Sequence, residues 1–341
     1  KALLLADVMG LGKSGSAICA FTQREFLPVL VVVKPNLMNQ WKREIHKWIP
    51  DAKVHMIEKT ITSPIPVDCS IVLTAYTRLK NWAETLAPLF RAIVFDEIQE
   101  LRHRDTDKYR AARHLCRTIE QNCGYRIGLS GSPVYNYGIE MWNVMDLLEE
   151  NCLGSLDEFL RERCTTWGQH QKVIDPAALG LQLRDEGLLL RRTREDVALE
   201  LPPRTRMVET IEADPSKLKE NQSTALELAR LIISAKEFTD RGMAAREFDL
   251  KLRQITGIAK APAVAAFARI FLEQGERVII FAWHREVYDI LQRLLSEFNP
   301  VLYTGSENTK QKQQSLDKFA NGESKCLLMS LRSSEGTDGL Q

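Results

Sequence analysis

The sequence predicts an α/β protein of two lobes, each built on a parallel β-sheet covered by helices. Two observations carry this. Short β-branched runs alternate with amphipathic helical stretches through the first part of the chain, as a parallel sheet with crossover helices requires. A length of 341 residues also exceeds the size at which one hydrophobic core stops growing, so two cores are expected.

Strands of the first lobe are read at residues 2–5, 29–33, 70–74, 92–95 and 126–130. Residues 140–197 read as mostly helical, and the pattern breaks at Leu201-Pro202-Pro203, where paired prolines forbid helix continuation. The lobe boundary is placed there. Residues 1–203 form the first lobe with a helical insertion and a lobe-linking segment, and residues 204–341 form the second. In the second lobe, 217–255 reads as helices with charged faces, and strand character returns at 277–281 and 325–329. No fixed-period repeat or low-complexity tract is found, which sets solenoid folds aside.

Apolar residues make up 44% of the chain and charged residues 27%, an ordinary globular composition that argues against long disorder. Lys and Arg total 46 against 45 Asp and Glu, so the net charge of +1 gives no global attraction to nucleic acid or to an acidic membrane surface. Any DNA binding must then come from a local basic groove. Seven cysteines are scattered, with no C-x-x-C pair or zinc spacing, and read as reduced structural thiols. The longest apolar stretch is taken as 27–33, which is too short to span a bilayer and is interrupted by Pro28. No membrane partner is therefore expected. Residues 1–6 read as a clipped strand rather than a secretory signal, and the expected location is cytoplasmic, nucleoid-associated or nuclear.

Chemistry enters at Ala6-Asp7-Val8-Met9-Gly10-Leu11-Gly12-Lys13-Ser14, which follows a strand and opens a helix. Gly10, Leu11 and Gly12 would let backbone N–H groups cradle phosphate oxygens at a helix N-terminus. Lys13 would reach the β- and γ-phosphates of ATP, and the Ser14 hydroxyl would bind Mg²⁺. Asp7 stands where the strict G-x-x-x-x-G-K-S/T pattern has its first glycine. A second element is the strand Ala92-Ile93-Val94-Phe95 running into Asp96-Glu97-Ile98-Gln99. Two carboxylates at the carboxyl edge of a buried sheet stand where ligands of open α/β folds sit. Asp96 would hold Mg²⁺ through water, and Glu97 would act as general base on the attacking water. A third element, Leu129-Ser130-Gly131-Ser132-Pro133, ends another strand; Ser130, Gly131 and Ser132 could bond the acidic element and DNA or the neighbouring lobe.

These three elements, in this order, resemble helicase superfamily two. Asp7 to Ser14 is similar to the D-E-M-G-L-G-K-T of the Swi/Snf-type DNA translocases, with Val8 and Ser14 departing from it. Val31-Val32-Val33-Lys34-Pro35-Asn36-Leu37, leading to Gln40-Trp41-Lys42-Arg43-Glu44, looks like that family's next strand and Trp-bearing helix. By the same resemblance Lys34 would touch DNA phosphates. Read without the family, Trp41 and Trp48 are seven apart on one helical face and are both core. Val72-Leu73-Thr74-Ala75-Tyr76 is similar to the family's V-x-T-x-Y element. Leu190-Arg191-Arg192-Thr193-Arg194-Glu195-Asp196-Val197 with Leu201-Pro202-Pro203 resembles its R-R-T-K-x-D-V…L-P-P lobe-joining segment. In the second lobe Val278 to His284, Tyr303-Thr304-Gly305 and Ser330 to Gln341 resemble further family elements, with Arg332, Gly336 and Gly339 fitting the last.

The resemblance implies two RecA-like lobes with ATP hydrolysed in the cleft between them, ATP and Mg²⁺ as cofactors, and double-stranded DNA as the track. Protein partners or flanking domains are further expectations. Asp96, Glu97 and Gln99 stand in the hydrolysis element, where remodellers carry Asp-Glu-x-His or similar; Gln99 can still donate to a γ-phosphate oxygen. The family's next element, Q-x-x-x-R-x-x-R, is expected after Gln341, leaving the second lobe incomplete; its arginines reach the γ-phosphate, a contribution of about 10³ to 10⁵ in rate. Two other functions stay open: a strand-separating helicase, and a nucleotide-gated DNA-binding module that does not turn over.

Overall fold

Runs that are apolar at every position, such as Val29–Val33 and Ile71–Ala75, can be buried only between two helical layers. The computed structural model places them there; it describes residues 1–132, 137–165, 171–197, 205–211, 216 and 238–331. By its internal contacts the chain divides into two compact units, Lys1–Arg204 and Thr205–Gln341.

The first unit carries a seven-stranded sheet in the order β3-β4-β2-β5-β6-β1-β7. Its strands are β1 (Ala2–Leu5), β2 (Val29–Val33), β3 (Val54–Met56), β4 (Ile71–Ala75), β5 (Ala92–Asp96), β6 (Tyr125–Leu129) and β7 (Leu189–Leu190). Every pairing is parallel. Helices α1 (Lys13–Ala20), α2 (Met38–Trp48), α3 (Leu79–Leu86), α4 (Asp107–Gln121), α5 (Gly138–Leu148), α6 (Leu156–Arg163) and α7 (Pro176–Asp185) complete the unit.

Strand alternation divides the core into two layers. Leu30 and Val32 of β2 pack with Trp82 of α3, Leu115 of α4 and Met145 of α5, whereas Val29, Val31 and Val33 pack with Ile18 of α1 and Trp41 and Ile45 of α2. At roughly 25 cal/mol per Å² of apolar surface, these two layers are the main stabilising term of the unit. Arg126 is a charged residue buried within β6. Its guanidinium is paired to Glu120 at 2.6 Å and Glu149 at 2.7 Å, which offsets its desolvation.

The reading of 140–197 as mostly helical needs one correction. Leu189–Leu190 joins the sheet as edge strand β7 beside Leu4 and Leu5 of β1, because Leu4 and Ala6 donate their backbone N–H groups to the carbonyls of Leu188 and Leu190. The pairing of Trp41 with Trp48 as core residues also holds for only one of them. Trp41 is 2% exposed, but Trp48, the last residue of α2, is 52% exposed. Its indole lies over Gly15 of α1, where a Cβ would stand 3.5 Å from the ring.

The second unit contains a parallel three-stranded sheet in the order β8-β10-β9, with β8 (Val278–Ala282), β9 (Val301–Tyr303) and β10 (Cys326–Ser330). Helices Phe238–Glu273, Arg285–Leu294 and Thr309–Ala320 accompany it. The first of these corrects the choice of 27–33 as the longest apolar stretch. Ala245–Glu273, which contains an 18-residue window of mean hydropathy 1.5, is long and apolar enough by length and composition to cross a membrane. Its Ala261, Ala265, Ala268 and Leu272 instead pack against Ile280, Leu291 and Leu328, as a core helix does. Pro133, Arg332, Gly336, Gly339, the Leu201-Pro202-Pro203 break and the helical reading of 217–237 lie outside the described residues, apart from Ser216 just before that segment.

Candidate active site

Three strands of the first sheet, β5, β6 and β1, lie side by side, and the segments leaving their carboxyl ends form the site. After β1 the chain turns through Gly10 at φ 87° and Gly12 at φ 72° before α1 begins at Lys13. Glycine takes this left-handed geometry without the Cβ clash other residues meet, and here the turn sets Lys13 and Ser14 in the first turn of α1.

Lys13 Nζ donates to the Asp7 carbonyl at 2.9 Å. Burial lowers the pKa of Lys13, and the carboxylates of Glu97, Asp96 and Asp7 work against that shift. The lysine therefore sits near the acidic residues at the end of β5. The Ser130–Ser132 turn follows β6, the strand between β5 and β1, and reaches the same place. A Cβ on Gly131 would stand 3.0 Å from Met9 Cγ and 3.6 Å from Lys13 Nζ. The Ser130 hydroxyl is turned inward and accepts from the Ser132 N–H at 3.1 Å. Through Gly131 this turn meets the phosphate-loop residues Met9 and Lys13.

Asp96 is buried, with one carboxylate oxygen held by the Trp41 indole N–H at 2.7 Å. Its backbone carbonyl accepts from the Tyr76 hydroxyl at 2.8 Å. Burial pushes the Asp96 carboxyl up to about 6; the Trp41 hydrogen bond opposes this, the Glu97 charge adds to it, and Lys13 and Lys34 pull it down. Glu97 follows at φ 53° and ψ 56°, a left-handed conformation uncommon for a side-chain-bearing residue and concentrated at functional sites. Its Oε2 accepts from Gln99 Nε2 at 2.5 Å.

Lys34, at the end of β2, stands 3.6 Å from Glu100, which also accepts from Lys108 at 2.7 Å. These residues line a cavity of about 420 Å³ with Tyr76, Thr77 and Lys80. A larger cavity of about 680 Å³ borders Gly131 and Ser132, but its walls come mainly from Met141, Leu179, Leu183 and Leu189. Lys13, Asp96 and Glu97 line neither of these two cavities.

Among the described residues no cluster of three or more His, Cys, Asp or Glu side chains could hold a metal by itself. A serine hydroxyl and a carboxylate are oxygen donors that suit Mg²⁺, which keeps several waters and takes one or two protein oxygens together with phosphates. Ser14 and Asp96 are the two residues that would supply them.

Sequence reasoning missed the anchoring of the phosphate loop. Asp7 is fully buried and accepts from the Arg192 backbone N–H at 2.8 Å, Nε at 3.0 Å and Nη2 at 2.5 Å. Arg191 donates to the Ala6 carbonyl at 3.2 Å and Arg194 to that of Met9 at 3.3 Å. These partners are 185 residues apart in sequence, so no local pattern reports the contact. The role of Trp41 toward Asp96 was missed for the same reason.

Comparison with known proteins agrees with this architecture. A family model described as the SNF2-related domain matches residues 1–257, and one described as the helicase conserved C-terminal domain matches 262–338. The chain is 24% identical over 343 residues to the SWI/SNF-related matrix-associated actin-dependent regulator of chromatin subfamily A-like protein 1 of Drosophila melanogaster, covering 97% of this chain and 44% of that protein. It is 27% identical over 303 residues to the DNA annealing helicase and endonuclease ZRANB3 of Mus musculus, covering 82% of this chain and 27% of that protein. The chain thus spans less than half the length of these curated relatives. Its fold is that of the Sulfolobus solfataricus SWI2/SNF2 ATPase core solved in complex with dsDNA, with a TM-score of 0.51 and 22% identity, covering 96% of this chain and 73% of that one. With the first family model spanning most of its length, the chain belongs to the SNF2-related domain family.

Proposed function

We propose that this chain is the ATP-hydrolysing core of a DNA-dependent ATPase that moves along double-stranded DNA. The observation that carries the reading is the gathering of Lys13, Asp96 and Glu97 at the carboxyl ends of β1 and β5, with Gly131, after the intervening β6, packed beside the lysine. That arrangement suits phosphoryl transfer to water, which asks a protein mainly for positioning and charge.

In this proposal the backbone N–H groups around Gly10, Leu11 and Gly12 and the start of α1 hold the phosphates, and Lys13 leaves the Asp7 carbonyl for a terminal phosphate oxygen. Mg²⁺, when bound through Ser14 and Asp96, neutralises charge on the phosphates. Glu97 accepts the proton of the attacking water, and its hydrogen bond from Gln99 holds the carboxylate in place. The remaining amide hydrogen of Gln99 can donate to a phosphate oxygen. Lys34, Lys80 and Lys108 outnumber Glu100 and Asp107 around the same cavity, and these lysines are proposed to exchange their carboxylate partners for DNA phosphates on a chain of nearly zero net charge. Ser130, Ser132 and Arg332 are proposed as coupling residues. Residues 1–203 serve as the ATP-binding lobe and 204–341 as the second helicase lobe. The Sulfolobus relative of the same fold was solved with double-stranded DNA, which supports a duplex track and a location with the genome, nuclear or nucleoid.

The test is ATP turnover by the full-length protein, with the γ-phosphate-reaching arginines expected of the family present, measured without DNA, with single strands and with duplex at matched nucleotide concentration. Duplex should stimulate most. Stronger stimulation by single strands would replace the reading with a strand-separating helicase, and ATP binding without turnover under all three conditions would replace it with a nucleotide-gated module.

A further inference from the structure

Three buried tryptophans of the first unit donate their indole N–H groups, and they do so to different chemistry. Trp82 donates to the Lys59 carbonyl at 3.0 Å and Trp142 to the Gly154 carbonyl at 3.1 Å, the usual way a core indole satisfies its one donor. Trp41 donates to a carboxylate, Asp96 Oδ2, at 2.7 Å. Both partners are buried. The distance is that of a charge-assisted hydrogen bond, which is shorter and stronger than a neutral one.

Packing alone does not require this. A phenylalanine would fill much of the volume of Trp41 among Val31, Val33, Ile45 and Leu73, but would offer no donor. Without the indole, Oδ2 would be a buried carboxylate oxygen with no side-chain donor among the described residues, free to turn about its Cβ–Cγ bond. With it, one oxygen is committed and the carboxylate plane is fixed. The backbone of the same residue is fixed independently by the Tyr76 hydroxyl.

We propose that Trp41 is a positioning residue for Asp96, orienting its carboxylate toward the Mg²⁺ shell and tying helix α2 to the nucleotide site. The inference rests on the assignment of Asp96 as the Mg²⁺-binding carboxylate of an ATP site. Residues that orient a metal ligand typically contribute about 10- to 100-fold to metal affinity, and the lower end applies here because Asp96 acts through water. Because α2 follows the Lys34-Pro35-Asn36-Leu37 turn after β2, the hydrogen bond also gives that turn a rigid connection to Asp96.

The experiment is a Mg²⁺ titration of fluorescent ATP analogue binding by wild type and Trp41→Phe, with a thermal melt of each. Trp41→Phe should raise the half-saturating Mg²⁺ concentration about 10-fold while leaving Mg²⁺-free analogue affinity unchanged. In an Asp96→Asn background the same substitution should add no further shift. A folded Trp41→Phe chain with the wild-type Mg²⁺ midpoint overturns the proposal, as does an equal shift in the Asp96→Asn background.

If Trp41→Phe fails to fold, the ¹⁵N-labelled indole signals of the six tryptophans decide instead. One signal should move in Asp96→Asn and on adding Mg²⁺ to the nucleotide-bound chain, and no movement overturns the proposal. Lys13→Ala separates the two levels of inference. Loss of analogue affinity with and without Mg²⁺ supports the ATP-site reading, and wild-type affinity overturns that reading while the indole signals still report on the Trp41–Asp96 bond.

Discussion

Arg192→Ala is the most informative change outside the reacting groups, because it isolates how the phosphate loop is anchored. Asp7 is fully buried, and three donors of Arg192 converge on its carboxylate. The substitution removes the two guanidinium donors and leaves the backbone N–H at 2.8 Å as the sole Arg192 contact. Removing one partner of a buried ion pair costs about 3–5 kcal/mol. The Arg192 side chain is 42% exposed, so water screens part of that interaction and the expected loss falls to about 2–3 kcal/mol. Urea denaturation followed by tryptophan fluorescence measures it, since five of the six tryptophans precede Arg204 and report mainly on the first unit. Nucleotide affinity should fall alongside stability, because Lys13 bonds to the carbonyl of the residue whose carboxylate has lost its anchor. The double variant Asp7→Asn/Arg192→Ala should cost less than the sum of its single changes, since no uncompensated charge remains. A loss for Arg192→Ala below about 0.5 kcal/mol, with wild-type nucleotide affinity, would refute the anchoring argument.

Glu97→Gln should bind ATP and DNA normally yet turn over about 10² to 10⁴ times more slowly, as steady-state ATPase and equilibrium binding together would show; equal loss of binding would make Glu97 structural. Asp96 gives a pH dependence. Its carboxyl moves from 3.8 to about 6 on folding, so the folded state binds that proton more tightly, and the chain without nucleotide should lose stability as pH rises from 3.8 through about 6. Asp96→Asn should flatten that part of a stability–pH curve, and Mg²⁺-dependent nucleotide affinity should weaken in wild type as pH falls through about 6. Gly128→Ala should destabilise by about 1–3 kcal/mol in a thermal melt, because its Cβ would lie 2.6 Å from Ile98 Cδ1 inside the sheet–helix core, whereas Gly131→Ala is tight only against the exposed, flexible Met9 at 3.0 Å, with Lys13 Nζ in ordinary contact at 3.6 Å, and should cost far less.

How much of this was legible in the sequence depended on whether the cause was local. Residues 29–33 and 92–95 read as buried parallel strands because each run carries its own apolar and β-branched signal, and the structure places Val29–Val33 and Ala92–Asp96 side by side. The glycines that turn the chain into Lys13 are likewise neighbours in sequence. Strand β7 was not legible: two leucines carry no period, and they become a strand only because β1 offers them an edge. Strand β9 is three residues long and was overlooked for a similar reason. Helical spacing correctly put Trp41 and Trp48 on one face, but spacing says nothing about how far the covering surface extends. At the end of α2 it extends only to Gly15 of a neighbouring helix, which leaves half of Trp48 in water.

The same distinction explains the site. Which residues carry charge was visible in short motifs; what holds them was not, because the holding contacts join segments that follow different strands. Asp96 is gripped at its carboxylate from the helix after β2 and at its carbonyl from the turn after β4, while Asp7 is gripped from the segment after β7. Each grip crosses the sheet edge between elements far apart in sequence, by 55, 20 and 185 residues. A carboxylate held in this way loses little rotameric freedom when it acts, so the ordering cost is met in folding rather than at each turnover. The left-handed Glu97 backbone fits the same logic. A conformation costing of order 1–3 kcal/mol persists only where its surroundings over-determine it, and here the preceding carbonyl is fixed by Tyr76 and the side chain by Gln99.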